Sequence, residues 1–262
     1  MQRKLLFFDI DGTLKSDVTH EYPESTRRAL ALAKQNGHLL FINTGRPICN
    51  LDAELFQMGF DGFLCGCGTF IRLFGRDLLR AELTHEESRA ELLRLRACGF
   101  ECYFEGHEHV FFDAEPTRPE LIRHRARWMS KGIIADTDPD DSAFVFSKYH
   151  AYRLPDGGTQ AFLSGMDARF EPILRRPDVY EVTPKAYSKA TAIDFTLERL
   201  SADMDDCFVF GDSVNDLPML THVRHAVGMR SGDREVLDTA EYITAAPEEG
   251  GIEQAFLHYG LI

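Results

Sequence analysis

The chain opens with an apolar run, Leu5-Leu6-Phe7-Phe8, that stops abruptly at Asp9. A short run with no polar alternation predicts a strand buried on both faces. Similar runs recur at His38 to Asn43, Phe63 to Cys65, Cys207 to Phe210, Ala226 to Gly228 and Tyr242 to Thr244. Segments of helical period separate them. Pro23 to Asn36 carries Ala29, Leu30, Leu32 and Ala33 on one side and closes at Asn36-Gly37, a helix-ending pair. Pro47 suits the first turn of a helix reaching about Met58. Lys189 to Leu200 carries an apolar stripe of Ala192, Ile193, Phe195, Thr196 and Leu197, and further helices are expected near Arg234 to Ala240 and Ile252 to His258.

Between about Leu83 and Thr183 the pattern changes. A helix, Glu86 to Ala97, leads into Phe100 to Glu105, a tight turn at Gly106-His107-Glu108, and Val110 to Asp113, which together predict a β-hairpin. A helix from Pro119 to Lys131, a strand from Ala143 to Tyr149, a short helix from Thr159 to Gly165, and strands Phe170 to Leu174 and Val179 to Val182 follow. The simplest topology is α/β: one doubly wound, parallel, Rossmann-like sheet formed by residues 1–82 and 184–262, interrupted by an inserted α+β module at 83–183.

Composition narrows the partners. The 262 residues are 44% hydrophobic and 27% charged, with a net charge of −13. Such an acidic chain is a poor binder of nucleic acid or anionic membrane, yet a local cation can still admit a small anionic substrate. No run approaches the 18 or so apolar residues of a membrane span, and the N-terminal apolar stretch is too short for a secretory signal. The six cysteines lie mostly in apolar runs, as reduced core cysteines do, so a cytoplasmic location is expected. Neither Cys65-Gly-Cys67 nor Cys98-x3-Cys102 has zinc-site spacing. Nothing in the chain fixes its oligomeric state.

The chemistry lies where strands end. In an extended backbone, residues i and i+2 share a face, so Asp9 and Asp11 project together. Two adjacent carboxylates persist only with a cation between them or with one protonated, which suits a metal-assisted nucleophile paired with a general acid. Thr44-Gly45-Arg46 follows a second strand, Lys189 opens a helix, and Asp212-Ser-Val-Asn215-Asp216 follows a third strand. If the Asp9 and Asp212 strands are neighbours, four carboxylates face one crevice, and a hard divalent cation with oxygen ligands, Mg²⁺, matches it best.

Asp9-x-Asp11-Gly-Thr, Thr44-Gly-Arg, Lys189 and Gly211-Asp212-Ser-x-Asn215-Asp216, in this order, resemble the four motifs of the haloacid dehalogenase-like (HAD) superfamily. Within it the chain is similar to the Cof-type hydrolases, whose large α/β cap (type IIB) lies between the second and third motifs. The chain departs from that pattern at Ala190, where the family has Gly, and at Cys65-Gly-Cys67-Gly68, where it has an Asn-Gly-Ala-like turn.

The resemblance implies a phosphatase acting on small phosphorylated metabolites, most often sugar phosphates. Asp9 would be the nucleophile, forming an aspartyl-phosphate, and Asp11 the acid and then the base. Mg²⁺ would be held by Asp9, the Asp11 backbone carbonyl and Asp212, with Asp216 supporting it from behind. Thr44, Gly45, Lys189 and Asn215 would bind phosphate, and Arg46 would support its loop. Residues 83–183 would form the cap that reads the leaving group, where Arg118, Arg123, Lys148 and Arg153 are candidate contacts and His107 and His109 are expected to be solvated. A sugar phosphomutase, or a non-catalytic sugar-phosphate-binding regulator, are the alternatives.

Overall fold

The computed structural model describes residues 2–113 and 115–262. In chain order its strands are β1 (Leu5–Phe8), β2 (Leu39–Asn43), β3 (Gly62–Cys65), β4 (Phe70–Leu73), β5 (Arg76–Arg80), β6 (Phe100–Glu105) and β7 (Val110–Phe112). They continue with β8 (Ile134–Asp136), β9 (Lys148–Arg153), β10 (Phe170–Arg176), β11 (Val179–Pro184), β12 (Cys207–Gly211), β13 (His225–Met229) and β14 (Tyr242–Thr244). The helices are α1 (Glu24–Gln35), α2 (His85–Ala97), α3 (Pro119–Ser130), α4 (Thr159–Ser164), α5 (Lys189–Leu200), α6 (Leu217–His222), α7 (Arg234–Thr239) and α8 (Gly251–His258). The chain divides into two units. The first comprises Met1–Gly45, Leu51–Leu79 and Ser188–Ile262, and the second Arg46–Asn50 and Arg80–Tyr187.

The first unit holds a sheet of order β14-β13-β12-β1-β2-β3-β4-β5. It is parallel from β14 to β3, and β4 then runs antiparallel to β3. The centre of the sheet explains the unbroken apolar runs. Phe7 stacks on Phe41 at 4.9 Å and joins a core with Ala192, Ile193 and Leu197 of α5 and Met219 and Leu220 of α6. Phe8, on the opposite face, stacks on Phe210 at 4.7 Å and meets Phe256 of α8 at 6.0 Å. Each buried phenylalanine contributes roughly 1.5–3 kcal/mol of transfer free energy, and a well-placed aromatic pair about 0.5–1.5 kcal/mol more. Helices thus cover both faces, the doubly wound arrangement expected from the sequence. The register Leu5↔Cys207 through Phe8↔Phe210 makes β1 and β12 neighbours, the condition for a shared crevice.

The second unit has a six-stranded sheet of order β10-β11-β9-β6-β7-β8. Leu92, Leu95, Phe104, Phe144, Phe146, Tyr149 and Phe162 fill one side, and Tyr103, Phe112, Leu121, Trp128 and Tyr152 the other.

Four expectations are corrected. The helix expected from Pro47 to Met58 is two separate 3-10 turns, Ile48–Asn50 and Ala53–Gln57. The first is drawn into the second unit, where the Cys49 amide donates to the His107 carbonyl at 3.2 Å and Lys131 Nζ donates to Asn50 Oδ1 at 3.1 Å. The strand expected at Ala143 to Tyr149 lies at Lys148–Arg153. Phe144 and Phe146 alternate because both are buried in the core, but the Phe144 and Val145 amides close local turns onto Asp141 and Ala143. The strands β4, β5 and β8 join the sheets without having been expected. His107, expected to be solvated, is buried, and its amide donates to Glu82 Oε1 at 2.8 Å.

Candidate active site

The parallel ladder carries Asp9 to its place. The Asp9 amide donates to the Phe210 carbonyl at 3.0 Å, one step beyond the last paired residue of β1. The strand's alternation turns its side chain to the α5 side, where it is buried. Lys189 is the first residue of α5, whose start is fixed by reciprocal hydrogen bonds between Ser188 and Thr191. Its ammonium is fully buried and lies 2.5 Å from Asp9 Oδ1 and 2.5 Å from Asp216 Oδ1. Asp216 is sequestered further, since its Oδ2 accepts the amides of Asp212 at 3.0 Å and Ser213 at 3.1 Å.

Asp212 stands at the end of β12, beside Asp9. Its Oδ1 accepts the Thr13 hydroxyl at 2.8 Å. Gly12 makes this approach possible. It has φ +75°, and a Cβ there would lie 2.3 Å from Asp212 Oδ2, so a residue with a side chain would be both strained and in collision. Asp9, Asp212 and Asp216 each offer an oxygen within 4.8 Å of the others.

Three buried carboxylates surround one buried ammonium, so the cluster carries excess negative charge. Burial pushes the Asp9 carboxyl up to about 7, with Lys189 opposing and Asp216 and Asp11 adding to the rise. Burial, then Asp9 and Asp216, push Asp212 up to about 8. Burial alone would lower the Lys189 pKa, but Asp216 and Asp9 outweigh it and hold the ammonium charged. Such a site favours either protons or a cation. The donor set is entirely carboxylate oxygen, the preference of a hard divalent ion, so the residues fit Mg²⁺.

Of the other expected residues, Asp11, Thr44, Gly45 and Asn215 belong to the same unit as this cluster, whereas Arg46 and the expected cap contacts belong to the second. The Asp11 carboxylate is exposed and outside the trio, though close enough to raise the Asp9 pKa; its expected part in ion binding is through its backbone carbonyl. Thr44 is buried, with its amide donating to the Leu64 carbonyl at 2.9 Å. Above Gly45, the point a Cβ would occupy lies 3.6 Å from Asn215 Nδ2. Asn215 Oδ1 accepts the Ser213 hydroxyl. Arg46 is half-buried and belongs to the second unit. Of the cap cations, Lys148 is buried between Glu105 and Glu181, Arg153 pairs with Asp178, and Arg118 donates to the Arg153 carbonyl. Thr13 of the first motif is the neighbour that motif reading misses, and its contact with Asp212 is a long-range one that only the paired strands bring about.

The profile of haloacid dehalogenase-like hydrolases matches residues 6–256. The chain is 28% identical, over the full length of both chains, to a Bacillus subtilis (strain 168) protein named "Putative phosphatase YkrA". It is 27% identical to the HMP-PP phosphatase of Klebsiella pneumoniae (strain 342), across 84% of this chain and 81% of that one. The solved structure of the HAD subclass IIB sugar phosphatase BT4131 superposes with a TM-score of 0.80 at 26% identity, covering 99% of this chain and 100% of that one. Among the described residues, no helix is long and apolar enough to cross a membrane. A parallel core with acidic groups at adjacent strand ends, matched over nearly all of its length, makes the chain a member of the haloacid dehalogenase-like hydrolase family and an enzyme of phosphatase type.

Proposed function

We propose that this phosphatase is Mg²⁺-dependent and releases phosphate from small phosphorylated metabolites, sugar phosphates foremost, through an aspartyl-phosphate on Asp9. The observation that carries the reading is the buried carboxylate trio around Lys189 at the ends of two adjacent parallel strands. The sugar-phosphate preference is supported by the likeness to a sugar phosphatase over the whole chain.

In this reading, Lys189 holds Asp9 Oδ1 and leaves the other oxygen to attack phosphorus in line. The bond from phosphorus to the leaving oxygen breaks, and Asp11 gives that oxygen a proton. Asp11 then takes a proton from the water that cleaves the acyl phosphate and frees Asp9. The exposure of Asp11 suits a group that must meet both leaving group and water. Asp9, Asp212 and the Asp11 backbone carbonyl would hold Mg²⁺, which when bound neutralises the carboxylates so that an anionic ester can approach. The Thr44 hydroxyl, the Gly45 amide, Lys189 and Asn215 Nδ2 hold the phosphoryl oxygens. Asp216, occupied by Lys189 and two amides, keeps the frame rigid. Residues 83–183 act as the cap that selects the leaving group.

The test is phosphate release from a broad panel of phosphorylated metabolites with Mg²⁺, beside Asp9→Asn and an EDTA-treated sample. Undiminished release by metal-free enzyme would overturn the Mg²⁺ assignment. Transfer between sugar positions, with a bisphosphate activator and little free phosphate, would mark a phosphomutase instead.

A further inference from the structure

The turn that ends β3 departs from the family's pattern, and its chemistry is unused in the reaction above. Cys65 and Cys67 differ sharply within it. Cys65 is fully buried, whereas Cys67 is half-buried and sits in a left-handed conformation, φ 55° and ψ 39°. Non-glycine residues adopt that conformation rarely. It is held by the Cys67 amide, which donates to the Thr44 carbonyl at 3.0 Å.

This geometry aims the thiol at the second motif. Cys67 Sγ lies 3.5 Å from the point a Cβ on Gly45 would occupy, the same point that stands 3.6 Å from Asn215 Nδ2. A charge on the sulfur would also be felt at the Lys189 ammonium. The thiol and an amide nitrogen, from two separate segments, therefore flank the space above Gly45. The Cys67 thiol forms one wall of that space, at van der Waals distance from the Cβ point.

We propose that Cys67 Sγ is a wall of the phosphoryl-binding cradle, and that a covalent adduct on this thiol excludes phosphate from the site. The proposal rests on reading Thr44, Gly45, Lys189 and Asn215 as phosphate-binding. The chemistry is thiol exchange with a low-molecular-weight disulfide or thiosulfonate. The Cys67 sulfur, its proton lost to solvent, attacks one sulfur of the reagent. A new S–S bond forms, the bond to the other sulfur breaks, and the leaving group departs as a thiolate or sulfinate. An added dithiol reverses the step. The cradle would then be open only while Cys67 is reduced, which makes phosphate release a function of the disulfide load around the enzyme.

The experiment treats the full-length protein with methyl methanethiosulfonate and maps the adducts by peptide mass spectrometry, so that modification of Cys67 is separated from that of the half-buried Cys49 and Cys98. A methylthio adduct on Cys67 is expected to cut aryl phosphate hydrolysis more than tenfold, with recovery on adding dithiothreitol. Inorganic phosphate with Mg²⁺ should slow modification of Cys67 several-fold and leave Cys49 and Cys98 unaffected. Cys67→Ala should resist inactivation and raise KM for the aryl phosphate several-fold, with kcat changing less. Full activity with Cys67 modified, no protection by phosphate, or no modification of Cys67 at all would each overturn the proposal. Protection is a binding readout, so the two readings separate. Protection in an enzyme that hydrolyses no phosphate ester would leave the cradle standing and sink the proposed function. Normal hydrolysis without protection would do the reverse.

Discussion

Each unit buries one lysine between two carboxylates, and the two clusters have opposite characters. In the second unit, Lys148 lies 2.8 Å from Glu105 and 2.9 Å from Glu181, and the Arg175 Nε donates to Glu181 at 2.7 Å. Two acids meet two bases, so the charges close. Burial raises Glu105, but against the same penalty Lys148, His150 and Arg175 hold Glu181 well below the usual carboxylate range. In the first unit, Lys189 serves Asp9 and Asp216 while Asp212 adds a third carboxylate. There the acids rise to about 7 and 8. A buried ionic cluster that balances itself is part of the frame, and one left short of positive charge favours a proton or a cation.

The sharpest break in this comparison is Asp9→Asn. Hydrolysis should fall by about 10⁴-fold or more, the scale for losing a covalent catalyst, while circular dichroism and melting stay near wild type. Retention of more than a hundredth of the rate would assign the nucleophile elsewhere. The lysines come next. Lys148→Met and Lys189→Met each remove the buried lysine shared by two acids and should cost roughly 3–5 kcal/mol in denaturant titrations. Only Lys189→Met should also abolish aryl phosphate hydrolysis by the fraction that remains folded. Equal residual activity in the two variants would erase the distinction.

Mg²⁺ should separate the clusters without mutation. At about a hundredfold above Kd, linkage gives roughly 2.7 kcal/mol, several degrees in melting midpoint for a chain of this size. Asp212→Ala should lose nearly all of that shift and Lys148→Met should keep it; a wild-type midpoint indifferent to millimolar Mg²⁺ would contradict the cation-binding reading.

The smallest effect is a difference of sign with pH, read by hydrogen exchange of each unit in EDTA. Burial lowers the His150 pKa from 6.5 to about 3, so the unfolded chain binds a proton that the folded unit refuses. Stability there is present above pH 6.5 and falls as the solution is acidified, by at most about 1.4 kcal/mol per pH unit, less some screening. Glu181, also lowered, acts in the same direction at lower pH. Asp9 and Asp212 are raised above the ordinary aspartate value of 3.8, so the folded first unit holds protons that the unfolded chain releases. Metal-free, that unit should gain stability as pH falls from 8 towards 4, and Mg²⁺ should flatten the dependence by taking the protons' place. Parallel pH responses in both units would refute the contrast.

The parts legible in the sequence were those where one force decides. β1 and β12 are buried on both faces, so their runs are apolar without a break, and α5 is legible from Lys189 to Leu200 because its apolar stripe has one face to cover. Where two forces compete, pattern misleads. Pro47 suits a helix start, yet the backbone that follows is drawn to the His107 carbonyl. Phe144 and Phe146 have the period of a strand because both fill a core, while the Phe144 and Val145 amides turn locally. His107 looked like turn chemistry and is buried because its backbone serves Glu82 and Cys49 at once. At the site, the motif spacing gave the acids and Lys189. Cys67 was visible only as a departure, since its aim depends on a left-handed φ that no apolar pattern encodes.

The bond from Thr13 to Asp212 spans 199 residues, and that from Lys189 to Asp9 spans 180. On a ribosome, the strand that leads to Asp9 emerges early and waits for the greater part of the chain to be made. Domains fold as units during synthesis, and long-range parallel pairing is slow. Until β12 docks beside β1, Asp9 has neither its lysine nor its neighbouring carboxylate. The carboxylate trio and its lysine can therefore be complete only after Asp216 has been made, so the first strand waits on the twelfth for its site.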